Sequence, residues 1–439
     1  MMGSGLVPGS RISKTLQEDL PMLSTQDNDL LTQTGPDTPM GKLFRRFWQP
    51  VMVPSELPEP DCAPVRVTIL GEQLVAFRDT SGRVGFFKQA CPHRGASLFF
   101  GRNEEDGLRC VYHGWKFDVT GECVDMPSEP AESNFKSKVR VAAYPGAEHG
   151  GIIWIYMGPA DKKPELPQYE WMTKEHPELK VYKWIQESNY TQSLEGNIDT
   201  AHIGFLHRTF KTVGMNRGIN PDEGPMLQVH ETDFGFIYGG RRNTHNNQEG
   251  KYYWRLTPFV LPTFTEIPSA TWDGSGIFVT PADDTHCIWM TVSPSGFRAA
   301  AGSAGNEYVE LIPGTWRQIA NAENDYQIDR EMQKTFNYTG LKGNRIQDAM
   351  VTETMGPIYD RSKEHLGTSD KAVIYMRRLL LRVAQDLENG IEHPILNDET
   401  LFRVRPVDLV TDEPEMVGFW QRDYAAHRQE PIAVEAPVV

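Results

Sequence analysis

Four residues in the first third of the chain have the types and spacing of an inorganic site. Cys91-Pro-His93-Arg-Gly is followed, with sixteen residues between His93 and Cys110, by Cys110-Val-Tyr-His113-Gly-Trp. Each half carries one thiol and one imidazole, so two such loops facing each other offer four ligands to one small centre. Zinc accepts two Cys and two His in tetrahedral geometry. The usual zinc-finger order, however, puts both cysteines in one half and both histidines in the other. One of each per half suits a [2Fe–2S] cluster, with both cysteines on one iron and both histidines on the other. Replacing two thiolates by neutral imidazoles removes negative charge and raises the reduction potential. Gly95, Gly101, Gly107 and Gly114 permit the tight turns such loops need.

A second constellation lies in Glu195-Gly-Asn-Ile-Asp199-Thr-Ala-His202-Ile-Gly-Phe-Leu-His207, which reads D-x-x-H-x-x-x-x-H. Helical texture is expected over Asn189–His207. Residues three to five apart share a helix face within about one turn, so His202 and His207 can reach one metal if the helix is locally loosened. Two neutral imidazoles leave a divalent ion under-neutralised, and a carboxylate should complete the set. Two His and one carboxylate on one face leave open positions for O₂, the arrangement of non-haem Fe(II) oxygenases. Asp199 lies one turn before His202 on the same side.

The elements that must position these residues fall into two groups. From Val51 to Pro159 the texture is β-like, with runs Val65–Leu70, Gln73–Arg78, Val84–Phe87 and Gly150–Gly158 separated by glycine-containing turns. Lys162–Pro167 reads as a linker. Between about 180 and 340 strands dominate again, as in Phe234–Tyr238, Lys251–Leu256 and Cys287–Val292. Ala372–Asn389 spaces its apolar residues helically, with Gly390 as a stop. Gly41–Trp48 reads as a short helix stopped by Pro50, after an irregular arm over 11–40. Residues 1–10 read as a vector-derived remnant, and the tail from 428 as frayed. The expected division is an arm at 1–26, an all-β domain at 27–160, a domain at 161–427 with an antiparallel sheet covered by helices, and a tail at 428–439. The fold class is α+β.

Composition sets outer bounds. At roughly 150 residues per domain, 439 residues suggest two or three domains. With 44 Lys+Arg against 59 Asp+Glu, the net charge is −15, which argues against non-specific nucleic-acid binding. No apolar run approaches the roughly 18 residues of a spanning helix, so no membrane partner is expected. Five cysteines do not make a disulfide scaffold. With no basic and apolar leader at the start, a reducing cytoplasm is the expected compartment. Cys123 fits neither half of the Cys/His motif and reads as a small buried residue; Cys62 and Cys287 suggest no role.

Cys91-Pro-His-Arg-Gly and Cys110-Val-Tyr-His-Gly-Trp resemble the cluster motif of Rieske proteins, and Asp199…His202…His207 resembles the catalytic iron site of Rieske non-haem iron oxygenases. Asp29–Pro36 with Met40-Gly41, and Glu353–Asp370, resemble the phthalate dioxygenase branch; the likeness spans about residues 27 to 400. That resemblance implies Asp348 as the third iron ligand, with Glu353 and then Asp360 behind it. It implies that Asp199 is no ligand but an electron-transfer bridge between a ligand histidine and the Rieske histidine of a neighbouring subunit. It further implies a catalytic α-subunit, organised as a trimer or stacked trimers. O₂ would be the co-substrate and a flavin and iron–sulfur reductase would supply NADH-derived electrons, docking near His93 and His113. Branch activities include dihydroxylation of aromatic carboxylates, O-demethylation and diaryl-ether cleavage. An aryl acid needs a cation in its pocket; Arg208, Arg241, Arg242 and Arg255 are the candidates.

Overall fold

The computed structural model describes residues 23–172, 179–210, 224–244, 248–268, 275–293 and 309–423. The remnant at 1–10 and the tail at 428–439 lie outside the described residues.

Short β-rich runs build the first unit. In chain order they are β1 (Trp48–Met52), β2 (Val65–Ile69), β3 (Glu72–Arg78), β4 (Val84–Lys88), β5 (Arg102–Glu104), β6 (Gly107–Arg109), β7 (Lys116–Phe117), β8 (Cys123–Asp125), β9 (Ala143–His149) and β10 (Ile152–Tyr156). They form a six-stranded sheet, β1-β10-β9-β4-β3-β2, and a four-stranded sheet, β5-β6-β7-β8, with antiparallel pairing throughout. Strand side chains alternate between faces, and β3 uses this to serve two cores. Leu74 and Ala76 join the main core, whereas Val75 and Phe77 join a separate cluster with Phe87, Leu98, Leu108, Trp115 and Phe117. That second core lies beneath the Cys/His loops.

The second unit is an antiparallel sheet of β11 (Lys180–Gln186), β12 (Met226–Thr232), β13 (Gly235–Asn243), β14 (Tyr252–Val260), β15 (Phe264–Ile267), β16 (Ser275–Pro281), β17 (Cys287–Ser293) and β18 (Val407–Thr411). Its order is β11-β17-β16-β15-β14-β13-β12, with β18 pairing β14. Helices cover it, as expected for an α+β fold. They are α1 (Thr25–Thr32), α2 (Pro39–Arg45), α3 (Tyr190–Ile198), α4 (Arg330–Thr335), α5 (Asn344–Thr354), α6 (Lys371–Glu388) and α7 (Met416–Asp423). The amphipathic α6 packs on α1, α2 and β12, and α3 lies between β15–β16 and α5.

Three local expectations need correction. The arm over 11–40 is not irregular in its described part. Ser24 caps α1 by accepting from Asp27 N, and Thr38 caps α2 with Pro39 at the first helical position. The helix expected at Gly41–Trp48 is therefore earlier, and Pro50 sits inside β1, the edge strand where a missing N–H is tolerated. The helix expected over Asn189–His207 ends at Ile198. Asp199 turns extended, at φ −86° and ψ 107°, and its carboxylate takes the N–H of Ala201 over 2.6 Å. A side chain competing for backbone N–H groups breaks the helix here.

Candidate metal centres

The two Cys/His loops have the same internal hydrogen bonding. Cys91 N donates to Ala96 O over 2.8 Å, and Gly95 N to Cys91 O over 2.9 Å; Cys110 N donates to Trp115 O over 2.8 Å, and Gly114 N to Cys110 O over 2.9 Å. The glycine four residues after each cysteine has φ of +76° or +77°, a conformation that costs an L side chain dearly. The two imidazoles lie with ring centroids 4.4 Å apart, and Trp115 stacks on His93 at 4.2 Å. Cys91 and Cys110 are buried and unpaired. Burial pushes the Cys91 thiol up to about 11, with Cys110 beside it adding to the cost of charge. A cationic centre is what would make thiolates stable there. His113 Nδ1 is buried without a hydrogen-bond partner among the described residues. Cys123 is buried in the same core cluster, its Sγ against Asp125 O.

In the second unit, His202, His207 and Asp348 converge. His207 Nε2 lies 3.2 Å from both His202 Nε2 and Asp348 Oδ1, and His202 Nε2 lies 3.8 Å from that same oxygen. The break after α3 makes this possible: His202 opens a 3₁₀ turn, His202–Gly204, and His207 follows it. Asp348 comes from α5, which packs on α3. Three ligand atoms this close, two of them imidazole nitrogens, suit a cation between them. Asp199 stays outside the cluster, its Oδ2 3.6 Å from His202 Nδ1. Burial opposes charge on His202, but Asp199 and Asp348 outweigh it and raise the group; Asp348 is correspondingly lowered, the two histidines overcoming its burial. Glu353 is occupied elsewhere, accepting from Tyr326 Oη and Glu187 N, and Asp360 caps the turn at Arg361–Lys363. Neither alternative joins the histidines.

The β13–β14 register separates the arginine candidates. Arg242 pairs with Tyr253, and Gly240 with Arg255, so Arg242 and Arg255 share the sheet face that looks towards Thr200. Both are buried. Arg242 Nη2 donates to Thr200 O over 2.7 Å and Arg255 Nη2 to Pro268 O over 2.8 Å, while Arg242 Nε and Arg255 Nε and Nη1 find no partner among the described residues. Burial, with Arg255 nearby, pulls Arg242 down to about 10. Arg241 pairs with Trp254 on the opposite face, donates to Pro414 O and lies over the Tyr252 ring. A one-residue step along a strand reverses the face, so Arg241 does not share the face of Arg242 and Arg255. Arg208 follows His207, half-buried, its carbonyl accepting from Tyr338 N.

Residues 47–145 match the Rieske [2Fe-2S] domain family and residues 155–404 the LigXa C-terminal domain-like family. The chain is 40% identical over 389 residues to the phthalate 4,5-dioxygenase oxygenase subunit of Pseudomonas putida, covering 84% of this chain and 88% of the relative. It is also 32% identical over 415 residues to the 5,5'-dehydrodivanillate O-demethylase oxygenase subunit of Sphingobium sp., covering 92% and 91%. The chain belongs to the Rieske non-haem iron oxygenases, as a catalytic α-subunit of the phthalate-dioxygenase-like branch. The structure of NdmA from Pseudomonas putida CBB5 with caffeine shares the fold, at a TM-score of 0.58 and 18% identity, covering 86% of this chain and all of that one.

As a Rieske oxygenase subunit the protein is an oxidoreductase with a [2Fe–2S] domain. The residues present fit the two groups the family implies: paired buried thiols and an orphaned imidazole nitrogen in matched loops, and two imidazoles and a carboxylate around one point. Among the described residues no helix is long and apolar enough to cross a membrane. Sequence reasoning missed Gln347, whose Oε1 lies 2.7 Å from His207 Nδ1. Its position beside Asp348 was the only available signal. It also missed Glu195, clamped by the buried Arg361 and Arg377 four residues before Asp199.

Proposed function

We propose that the protein is the oxygenase component of a system that cis-dihydroxylates a phthalate-like aromatic carboxylate with O₂ and NADH-derived electrons. The observation that carries the substrate class is the buried pair Arg242 and Arg255, close enough to oppose each other's charge and with three N–H groups unmatched between them among the described residues. Two guanidiniums in such a setting are strongly destabilising unless an anion meets them. They sit on the face towards Thr200, next in sequence to Asp199, so an acid held there would present its ring to the His202–His207–Asp348 site. The phthalate 4,5-dioxygenase relative supports this reading.

Cys91, His93, Cys110 and His113 would hold the cluster, and His202, His207 and Asp348 the mononuclear iron. When bound, these groups would supply single-electron delivery and O₂ activation. The chain's own residues bind and orient the acid, exclude water from its ring and fix the ligand imidazoles. Asp199, against His202, is the bridge to the cluster of a neighbouring subunit in a trimer or stacked trimers. The flavin and iron–sulfur reductase docks near His93 and His113, where Val111 and Tyr112 are exposed. The working division is a cluster domain at 27–160 and a catalytic domain at 161–427, in a cytoplasmic protein.

The O-demethylase relative favours a second reading, monooxygenation of a methoxylated aryl acid with the same residues in the same roles. The test is turnover with NADH, a compatible reductase and a panel of phthalates, halobenzoates, phenoxybenzoates and methoxybenzoates, with products identified by mass. Gain of two oxygens and two hydrogens is expected. Formaldehyde with a phenol would select the second reading, and no coupling to any aryl acid would overturn both.

A further inference from the structure

Gln347 is buried on the first turn of α5, immediately before Asp348. Two contacts fix which way its amide points. Nε2 donates to Leu341 O over 3.2 Å, and that carbonyl can only accept. Oε1 is therefore the atom 2.7 Å from His207 Nδ1, and it too can only accept. Nδ1 must then carry the proton. The other ring nitrogen, Nε2, is left with its lone pair directed at His202 Nε2 and Asp348 Oδ1, 3.2 Å from each.

We propose that Gln347 is a positioning residue for the mononuclear metal: its amide sets the tautomer and rotation of His207, so that Nε2 is the nitrogen offered to the ion. This rests on reading His202, His207 and Asp348 as the ligands. Metal-binding imidazoles commonly donate their other N–H to a fixed acceptor, which orients the ring and raises its basicity. Here the two histidines are served differently. His202 faces a carboxylate at 3.6 Å, whereas His207 is held at true hydrogen-bond distance by a neutral amide. The amide orients without adding charge, so Asp348 remains the anion that faces both Nε2 atoms. Because Gln347 and Asp348 are consecutive on one helix, α5 delivers a ligand and the orienter of another ligand as a single rigid piece.

The test is titration of cobalt(II) into cluster-loaded protein freed of mononuclear metal, for the natural chain, Gln347→Leu and Gln347→Glu. Leu fills the space but cannot accept; Glu can. Gln347→Leu is expected to bind cobalt about 10- to 100-fold more weakly, and Gln347→Glu to recover most of that loss. Cluster absorbance and thermal midpoint should stay unchanged, which separates positioning from unfolding. Natural-strength binding in the Leu variant, or a Glu variant as weak as Leu, would overturn the role of Gln347 alone. Failure of the natural chain to take up one cobalt would overturn the ligand reading and this inference with it.

Discussion

Arg242 Nη2 donates to Thr200 O across 2.7 Å, tying the inner face of the large sheet to the residue that follows Asp199. A side chain proposed to bind the substrate acid thus also holds the backbone next to the proposed bridge. Arg255 shares the face but makes its hydrogen bond to Pro268 O instead. Its loss should be felt in substrate binding alone.

Removing one charge-assisted contact to the acid costs about 1.5–3 kcal/mol, or roughly 10- to 150-fold in kcat/KM. Arg255→Met should therefore raise KM for phthalate with kcat nearly kept. Arg242→Met should raise KM and lower kcat together. Steady-state kinetics with the acid and its neutral methyl ester checks this: equal losses on both would show that the arginines do not read the carboxylate.

Asp199→Asn keeps a carbonyl for Ala201 N but gives up the carboxylate facing His202. Both metals should remain, while turnover falls roughly 10- to 100-fold or more. Iron content, the cluster spectrum and product formation measured on one preparation decide it. Full turnover in that variant would remove Asp199 from the electron path.

Glu195 is held between the buried Arg361 and Arg377, and Arg377 also engages Glu364. Burial pushes its carboxyl up, but the two guanidiniums outweigh this and hold it below its ordinary 4.5. A lowered native value means a stabilising contribution that is complete above the unfolded value and is lost as pH falls through the native one. Glu195→Gln leaves two buried cations underpaired and should cost about 3–5 kcal/mol at pH 7. The gap between the natural chain and the variant should narrow in acid. Urea unfolding at pH 7 and below pH 4 measures it; a gap that widens in acid would contradict the sign.

What the sequence made legible follows from how local each feature is. The cluster loops are readable because each half carries its cysteine, histidine and left-handed glycine within five residues. The two histidines of the second site were readable as a motif, but the helix expected to carry them is broken by Asp199 itself. The Ser24 and Thr38 caps were legible signals for α1 and α2 that polar composition obscured. Separating Arg241 from Arg242 needs the strand register, since adjacent residues face opposite sides. Gln347 was beyond reach: its partner lies 140 positions away, and a glutamine in a helix carries no signature of the imidazole it will meet.

If one chain holds two distinct iron sites, iron stoichiometry shows it. Iron and acid-labile sulfide should be measured in the natural chain and in His207→Ala, together with the visible cluster spectrum. About three irons and two sulfides are expected in the natural chain. In His207→Ala about two irons and two sulfides are expected, with the cluster spectrum intact. Only two irons in a fully loaded natural chain, or loss of the cluster along with the third iron, would contradict it.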